Sequence, residues 1–318
     1  MKPLRVAIPV RRWRRGFALV TVLWALVLLM IMAASFSQSL QRDSRLVRYN
    51  EDRAKGLALT DAGVHYALMM LSLPDPHRRW RSDGTLYTPN LPGGRLRIRI
   101  FDEAGKFDLN AAQEPTLREL LAKVIGDQQD RVDALTAAIL DWRDPDDLVH
   151  LNGAEEAEYR QADKGHVPRN TNFQALEELQ MVLGMTPAIY KRLEPVLTIY
   201  SGQNGINPTK ASLEALLMLP GVDEAMARSY LEQRQAALPG VPVPFPIQFP
   251  PGGLRLTGGG DAAYTIYAES LTEEGQFTGV RAVAKRQASG HSPYTFLSWK
   301  QLRSAYAELP GADQPQQP

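Results

Sequence analysis

Cysteine is absent from the 318 residues, which excludes a disulfide framework, a thiolate metal site and a cysteine nucleophile. Histidine is scarce: His65, His77, His150, His166 and His291 are the full set, and none stands at a zinc-binding spacing. No Gly-x-Ser-x-Gly elbow, Walker loop or dinucleotide fingerprint occurs. Paired carboxylates have a parallel in glycoside chemistry, but no nucleophile partner accompanies them here. The chain therefore reads as non-enzymatic.

Two local absences say more. The first sixteen residues hold Lys2, Arg5, Arg11, Arg12, Arg14 and Arg15 and no acid. The next eighteen, Phe17 to Ala34, hold no charge. At ~1.5 Å per residue that run spans about 27 Å, close to the hydrocarbon thickness of a bilayer. The flanking cations place the N-terminus in the cytoplasm and the remaining chain on the exported side. Ala33-Ala34-Ser35 is a weak secretory cleavage site, so an ordinary signal peptide or signal anchor is the plain alternative. The overall charge of +1 hides this asymmetry, because the six leader cations leave the rest of the chain at −5.

Proline is missing between Pro9 and Pro74. Past the apolar run, Ala54, Leu57, Ala58, Val64, Ala67, Leu68 and Leu71 recur at helical spacing. One helix is expected to about Leu73, roughly 85 Å in all, with Gly56 and Gly63 as weak points. Leu96, Ile98 and Ile100 alternate with Arg95, Arg97 and Arg99, the pattern of a half-buried strand. A helical block runs from about Phe107 to Ala237. Leu238 to Gly260 is a Pro- and Gly-rich loop. Strands return at Tyr264–Ala268, Phe277–Ala284 and Tyr294–Trp299, and the tail from Pro310 is polar and Pro-rich. So few strands cannot bury separate cores. One small antiparallel sheet on the long helix, interrupted by an all-α insertion, is the economical α+β reading.

Within the block, Asp108-Leu109-Asn110 precedes Leu117–Leu121 much as Ile206-Asn207-Pro208 precedes Leu213–Leu217, with each Asn a candidate N-cap. The turns Leu183-Gly184-Met185-Thr186-Pro187 and Leu219-Pro220-Gly221-Val222-Asp223 resemble helix-hairpin-helix units. That resemblance implies a membrane-anchored DNA receptor of the competence type. Opposing it, Thr186 and Asp223 replace the second turn glycine. Residues 107–236 also carry 12 Lys plus Arg against 21 Asp plus Glu, and an acidic surface opposes phosphate binding.

Seven carboxylates, Asp141, Asp144, Asp146, Asp147, Glu155, Glu156 and Glu158, fall within eighteen positions. Such crowding is repulsive unless solvated or neutralised. Counted from Asp144, the spacing overlaps an EF-hand loop. Leu148 and Val149 stand where a ligand and the required glycine belong, so it is not one. A solvated acidic loop and a calcium site both fit, and Asp141 and Glu155 also suit structural capping.

Arg14-Arg15-Gly16-Phe17 followed by the apolar run resembles a type IV prepilin leader. Further on, Ile139–Trp142 with the acidic loop, Pro168-Arg169-Asn170, Gly184–Pro187 and Leu197–Gly202 resemble the protein K family of minor pseudopilins in type II secretion. Together the matches span roughly Arg14 to Gly221. The resemblance implies cleavage between Gly16 and Phe17 by a prepilin peptidase, with methylation of the new N-terminal Phe17. Most pilins carry Glu at the fifth mature position; Thr21 stands there, a departure characteristic of this family and of a filament tip.

The implied fold is a pseudopilin: residues 1–16 a leader, 17–34 a transmembrane segment continuing as helix to about 73, 74–106 and 238–300 the sheet, 107–237 an inserted α-domain with helix-hairpin-helix-like repeats, and 301–318 a tail. The implied location is the inner membrane, single-pass, with the bulk periplasmic. The implied partners are minor pseudopilins I and J, and no nucleic acid. The family binds calcium in its α-domain, for which Asp141, Asp144, Asp146, Asp147, Glu155 and Glu156 are the candidate ligands.

Overall fold

The computed structural model describes residues 15–237, 243–247, 256–258, 263–287 and 293–302; within the first helix, the side chains at 15–18 and 39–43 fall outside that description. The leader up to residue 14, most of the 238–260 loop and the tail therefore lie outside the described residues. The chain divides into two compact units, Met1–Ala54 and Lys55–Pro318.

Helix α1 (Arg15–Leu71) carries the first unit's described part. Its window Leu19–Gln38 has a mean hydropathy of 2.5 and none of it is buried by protein. Twenty residues rise about 30 Å, enough by length and composition to cross a membrane.

In the second unit α1 turns one-sided. Leu59, Thr60, Val64, Ala67, Leu68 and Leu71 are buried, at the 3–4 residue spacing of one helix face. That face meets an antiparallel sheet of order β1-β3-β6-β7-β8, with β2 paired to β3. The strands are β1 (Asp83–Tyr87), β2 (Asn90–Leu91), β3 (Gly94–Asp102), β6 (Ala263–Thr272), β7 (Phe277–Arg286) and β8 (Tyr294–Leu302). Register places Ile98 beside Ala268 and Val280, and Ile100 beside Ile266 and Ala282, so these apolar residues share the α1 side. Each large aliphatic side chain fully buried there contributes about 1.5–3 kcal/mol. The expected helix and four of the strands are present within a few residues of their predicted limits. β1 and β2 were not foreseen, being short and opened by Asp83-Gly84 and Asn90.

Gly56 and Gly63 are close-approach points rather than weak points. A methyl group on Gly63 would stand 2.9 Å from Leu96 Cδ2, and one on Gly56 2.7 Å from Thr278 Oγ1. The helix lies against the sheet because these positions lack side chains.

Between β3 and β6 lie α2 (Glu114–Ile125), α3 (Gln129–Arg143), α4 (Glu156–Gln161), α5 (Pro187–Leu193), α6 (Leu213–Leu217) and α7 (Glu224–Ala236), with their own core around Trp142, Leu120, Leu135 and Leu216. The block is not all helix: β4 (Phe107–Asp108) and β5 (Leu197–Thr198) form a short parallel pair. The first expected hairpin opens with a 3-10 helix, Leu176–Met181, in place of an α-helix. In both hairpins the glycine has positive φ (Gly184 85°, Gly221 72°) and the next helix is capped by Thr186 or Asp223.

Asn110 and Asn207 are not the helix N-caps expected. Asn110 instead bonds Phe173 in both directions, at 2.8 and 3.0 Å, and Asn207 accepts from Thr209 N (3.0 Å) within its own turn. The caps fall later, at Gln113 and Ser212, still extended and immediately before the backbone turns helical.

Gly63→Val should overpack the helix–sheet contact, at a cost of about 1–3 kcal/mol. For a unit of this size that is roughly 2–4 °C of Tm per kcal/mol. Thermal unfolding of the full chain in detergent checks this; an unchanged midpoint would remove the close-packing role of Gly63.

Candidate metal centre

Helix α3 ends by delivering two side chains inward. Trp142 is fully buried, stacked on Phe173 (6.0 Å, 15°) and tilted against Tyr159 (6.0 Å). Tyr159 anchors α4 beneath the loop, its hydroxyl accepting the Leu183 N–H at 2.8 Å; burial pushes that phenol up to about 12. Asp141, also fully buried, faces the loop that leaves α3. It accepts the N–H groups of His150 (3.1 Å) and Ala154 (2.6 Å), and its carboxylate contacts the His150 ring. The loop can close this far because of Gly153, where a methyl group would stand 2.0 Å from Asp141 Oδ2.

Asp141, Asp144 and His150 each present a ligand atom, all within 4.8 Å of one another. Glu155, only 4% exposed, is the first cap of α4, and its own N–H donates to Glu158 Oε2 at 2.9 Å. Two buried carboxylate oxygens, Asp144 Oδ1 and Glu155 Oε1, have no hydrogen-bond partner among the described residues. Burial, then the charges of Asp141, Asp144, Asp147 and Asp146, pushes the Glu155 carboxyl up to about 7. Burial, then Asp146 and Asp141, raises Asp144 against the pull of His150 and Arg143. The nearest arginine does not neutralise the cluster directly, since Arg143 gives its guanidinium to the carbonyls of Leu109 and Ala112. Unpaired carboxylate oxygens are costly to bury. A hard dication that takes oxygen ligands is the matching complement, so the residues fit calcium.

Of the expected ligands, the fold gathers Asp141, Asp144 and Glu155, with Asp146 and Asp147 near enough to act on Glu155. Glu156 is exposed and bridges to Arg160 one turn along α4, away from the expected ligand role. Sequence reasoning missed His150, because it searched for zinc spacings, and the turn at Asn152 (φ 65°) is what returns the ring to Asp141. Gly16, Phe17 and Thr21 lie on α1, Thr21 exposed within the apolar window and the side chains of the first two outside the described residues.

The second hairpin turn is covered by the chain itself. Phe245 packs edge-on against Tyr230 at 4.9 Å, the Tyr230 hydroxyl donates to Val243 O at 3.3 Å, and Ile247 lies 3.8 Å from where a methyl on Gly221 would stand. The alternating Val243-Pro244-Phe245-Pro246-Ile247 segment thus packs along α7 and reaches the turn at Gly221.

A long N-terminal helix laid on an antiparallel sheet, with helices inserted between two of its strands, is the architecture of a pseudopilin. Residues 95–202 match the family model described as type II secretion system protein K. Type II secretion system protein K of Klebsiella pneumoniae is 29% identical over 249 residues, covering 70% of this chain and 76% of the relative. The Pectobacterium carotovorum subsp. carotovorum protein of the same name is 26% identical over 255 residues, with the same coverage of 70% and 76%. The fold is similar to a chain in the crystal structure of the GspK-GspI-GspJ complex from enterotoxigenic Escherichia coli, with TM-score 0.61, 16% identity, and coverage of 81% of this chain and 99% of that one. Over residues 95–202 and along about 70% of its length the chain is thus similar to protein K of type II secretion.

Folded Glu155 titrates near about 7 against 4.5 unfolded, so between those values the folded state holds more protons. Stability without divalent cations should therefore fall as pH rises through that window, and Glu155→Gln should make the slope shallower. Thermal unfolding in chelator across the window tests this, and equal slopes for both proteins would contradict it.

Proposed function

We propose that this minor pseudopilin caps the tip of a short periplasmic filament and helps start its assembly, so that folded proteins are exported across the outer membrane. It acts by assembly, not catalysis. The observation that supports the tip assignment is the set of six α-helices among the described residues between β3 and β6. Such bulk fits poorly within a regular stack of subunits and suits an end where nothing stacks above. Thr21 supports the same reading. A glutamate buried in an apolar bundle is costly without a partner, and a subunit lacking it has no carboxylate to offer a neighbour's amine. By analogy with the GspK-GspI-GspJ complex, its partners are pseudopilins I and J.

The precursor is cut between Gly16 and Phe17, and the helix beyond stays in the inner membrane, N-terminus cytoplasmic, until assembly withdraws it. Gly16→Asp should leave a larger, unmethylated protein, read by mass spectrometry of the chain purified from membranes. Normal processing of that variant would refute the prepilin reading.

Calcium held by Asp141, Asp144 and Glu155, with Asp146 and Asp147 beside them, neutralises the cluster and orders the loop from Asp141 to Tyr159. The unpaired oxygens of Asp144 and Glu155 support this. Titrating calcium into chelator-stripped full-length protein should release heat that saturates by millimolar concentration, the range of extracellular calcium modules, about 10⁻⁴–10⁻³ M. At a hundredfold excess over Kd the protein should gain about 2.7 kcal/mol. No heat and no rise in Tm at millimolar calcium would sink the site.

A further inference from the structure

The sheet face turned away from α1 is basic. Leu96, Ile98 and Ile100 point to the helix, so the alternation of β3 sets Arg95, Arg97 and Arg99 on the opposite face. Register adds Arg281 of β7 to that face, since Arg99 is level with Tyr267 of β6 and Tyr267 with Arg281. The Arg281 guanidinium stands 5.9 Å from the centre of the Tyr267 ring. Among the described outward positions of β3, β6 and β7, Glu269 is the single acid; it sits level with Arg97 and is 1% exposed. Acids from the insertion and its root reach one end of the row only. Arg281 lines a small cavity with Glu103, Glu177 and Glu194, and Lys300 of β8 pairs with Glu177. Arg95, at the other end, is exposed and lines a groove of about 830 Å³ between the β2–β3 and β6–β7 turns, with Leu91 and Leu271 on its walls.

Residues two apart on a strand are roughly 7 Å apart, and so are alternate residues of any extended peptide. An extended segment with carboxylates at alternate positions can therefore meet Arg95, Arg97 and Arg99 in turn. Guanidinium suits carboxylate on a half-buried face, because its planar fork takes both oxygens and its hydration is weak. Arg99 also donates to the Gly84 carbonyl at 3.0 Å, which holds its side chain in place. A long polyanion such as DNA would have to run past the insertion, where residues 107–236 carry 12 Lys plus Arg against 21 Asp plus Glu; a short peptide need not. We propose that this face docks an extended acidic segment of a partner protein, with its alternate carboxylates on the β3 arginines and an apolar residue in the groove beside Leu91 and Leu271.

Fluorescence anisotropy with the full chain in detergent tests this, using a labelled peptide that bears glutamates at alternate positions and a terminal leucine. The wild-type chain should bind it saturably, and more weakly as salt rises. Arg95→Glu should weaken binding about tenfold or more, and Arg95→Lys, which keeps the charge but loses the fork, by less. Arg131→Glu makes the same charge change at an exposed position of α3 and should leave the affinity unaltered. No saturable binding by wild type, wild-type affinity in Arg95→Glu, or equal losses in Arg95→Glu and Arg131→Glu would each overturn the proposal. So would tighter binding of anionic vesicles or single-stranded DNA than of the peptide, or self-association of the chain that Arg95→Glu abolishes and the peptide does not disturb.

Discussion

The joint between sheet and helical insertion depends on one buried carboxylate. Glu103 follows β3 directly and is almost fully buried. It accepts from Lys106 Nζ at 2.7 Å, from Thr265 Oγ1 of β6 at 2.7 Å, and from Thr198 of β5. Burial opposes its charge, but the Lys106 ion pair and the two hydroxyls prevail and hold the carboxyl below its usual range. An ion buried this way adds little net stability but is strongly destabilising when its partners are removed. It fixes where the chain leaves the sheet, where β5 returns, and how both meet β6. A second buried pair acts nearby. Arg234 of α7 lies 3.7 Å from Asp83 of β1 and donates to the Pro208 and Ala211 carbonyls, so the end of the insertion is also tied to the sheet's edge.

That framework lets the acidic loop be built at a cost. Asp141 and Glu155 are buried near like charges, which His150 and Arg143 offset only in part. The cost is borne by the aromatic floor of Trp142, Phe173 and Tyr159, whose burial is large and apolar. The loop is thus held from below by packing and from inside by Asp141's bonds to His150 and Ala154. Its charge is left for something outside the chain to balance. The cation proposed above would supply that balance, and the same acidic surface opposes the phosphates of DNA.

The apolar stretch long enough to cross a membrane and the sheet's partner helix are one element, α1. From Leu19 to Gln38, α1 is apolar all round and buried by no protein. From Leu59 to Leu71 it buries one face on strands and shows the other to water.

Much of this was legible in the chain alone. Periodicity located α1 and the strands β3, β6, β7 and β8, because one-sided burial imposes a repeat of 3.6 or 2. The uncharged run marked the helix long and apolar enough to cross a membrane, and the crowding of carboxylates marked the loop. Tertiary structure decided what spacing does not encode. It showed Gly56 and Gly63 to be contact points, since only the facing Thr278 and Leu96 make a side chain there too large. It moved the caps away from Asn110 and Asn207, because where a helix starts depends on what the preceding turn has already bonded. It brought His150 to the cluster and turned Glu156 away. Ligand geometry depends on which loops return to one another in space, and separation along the chain carries no such information.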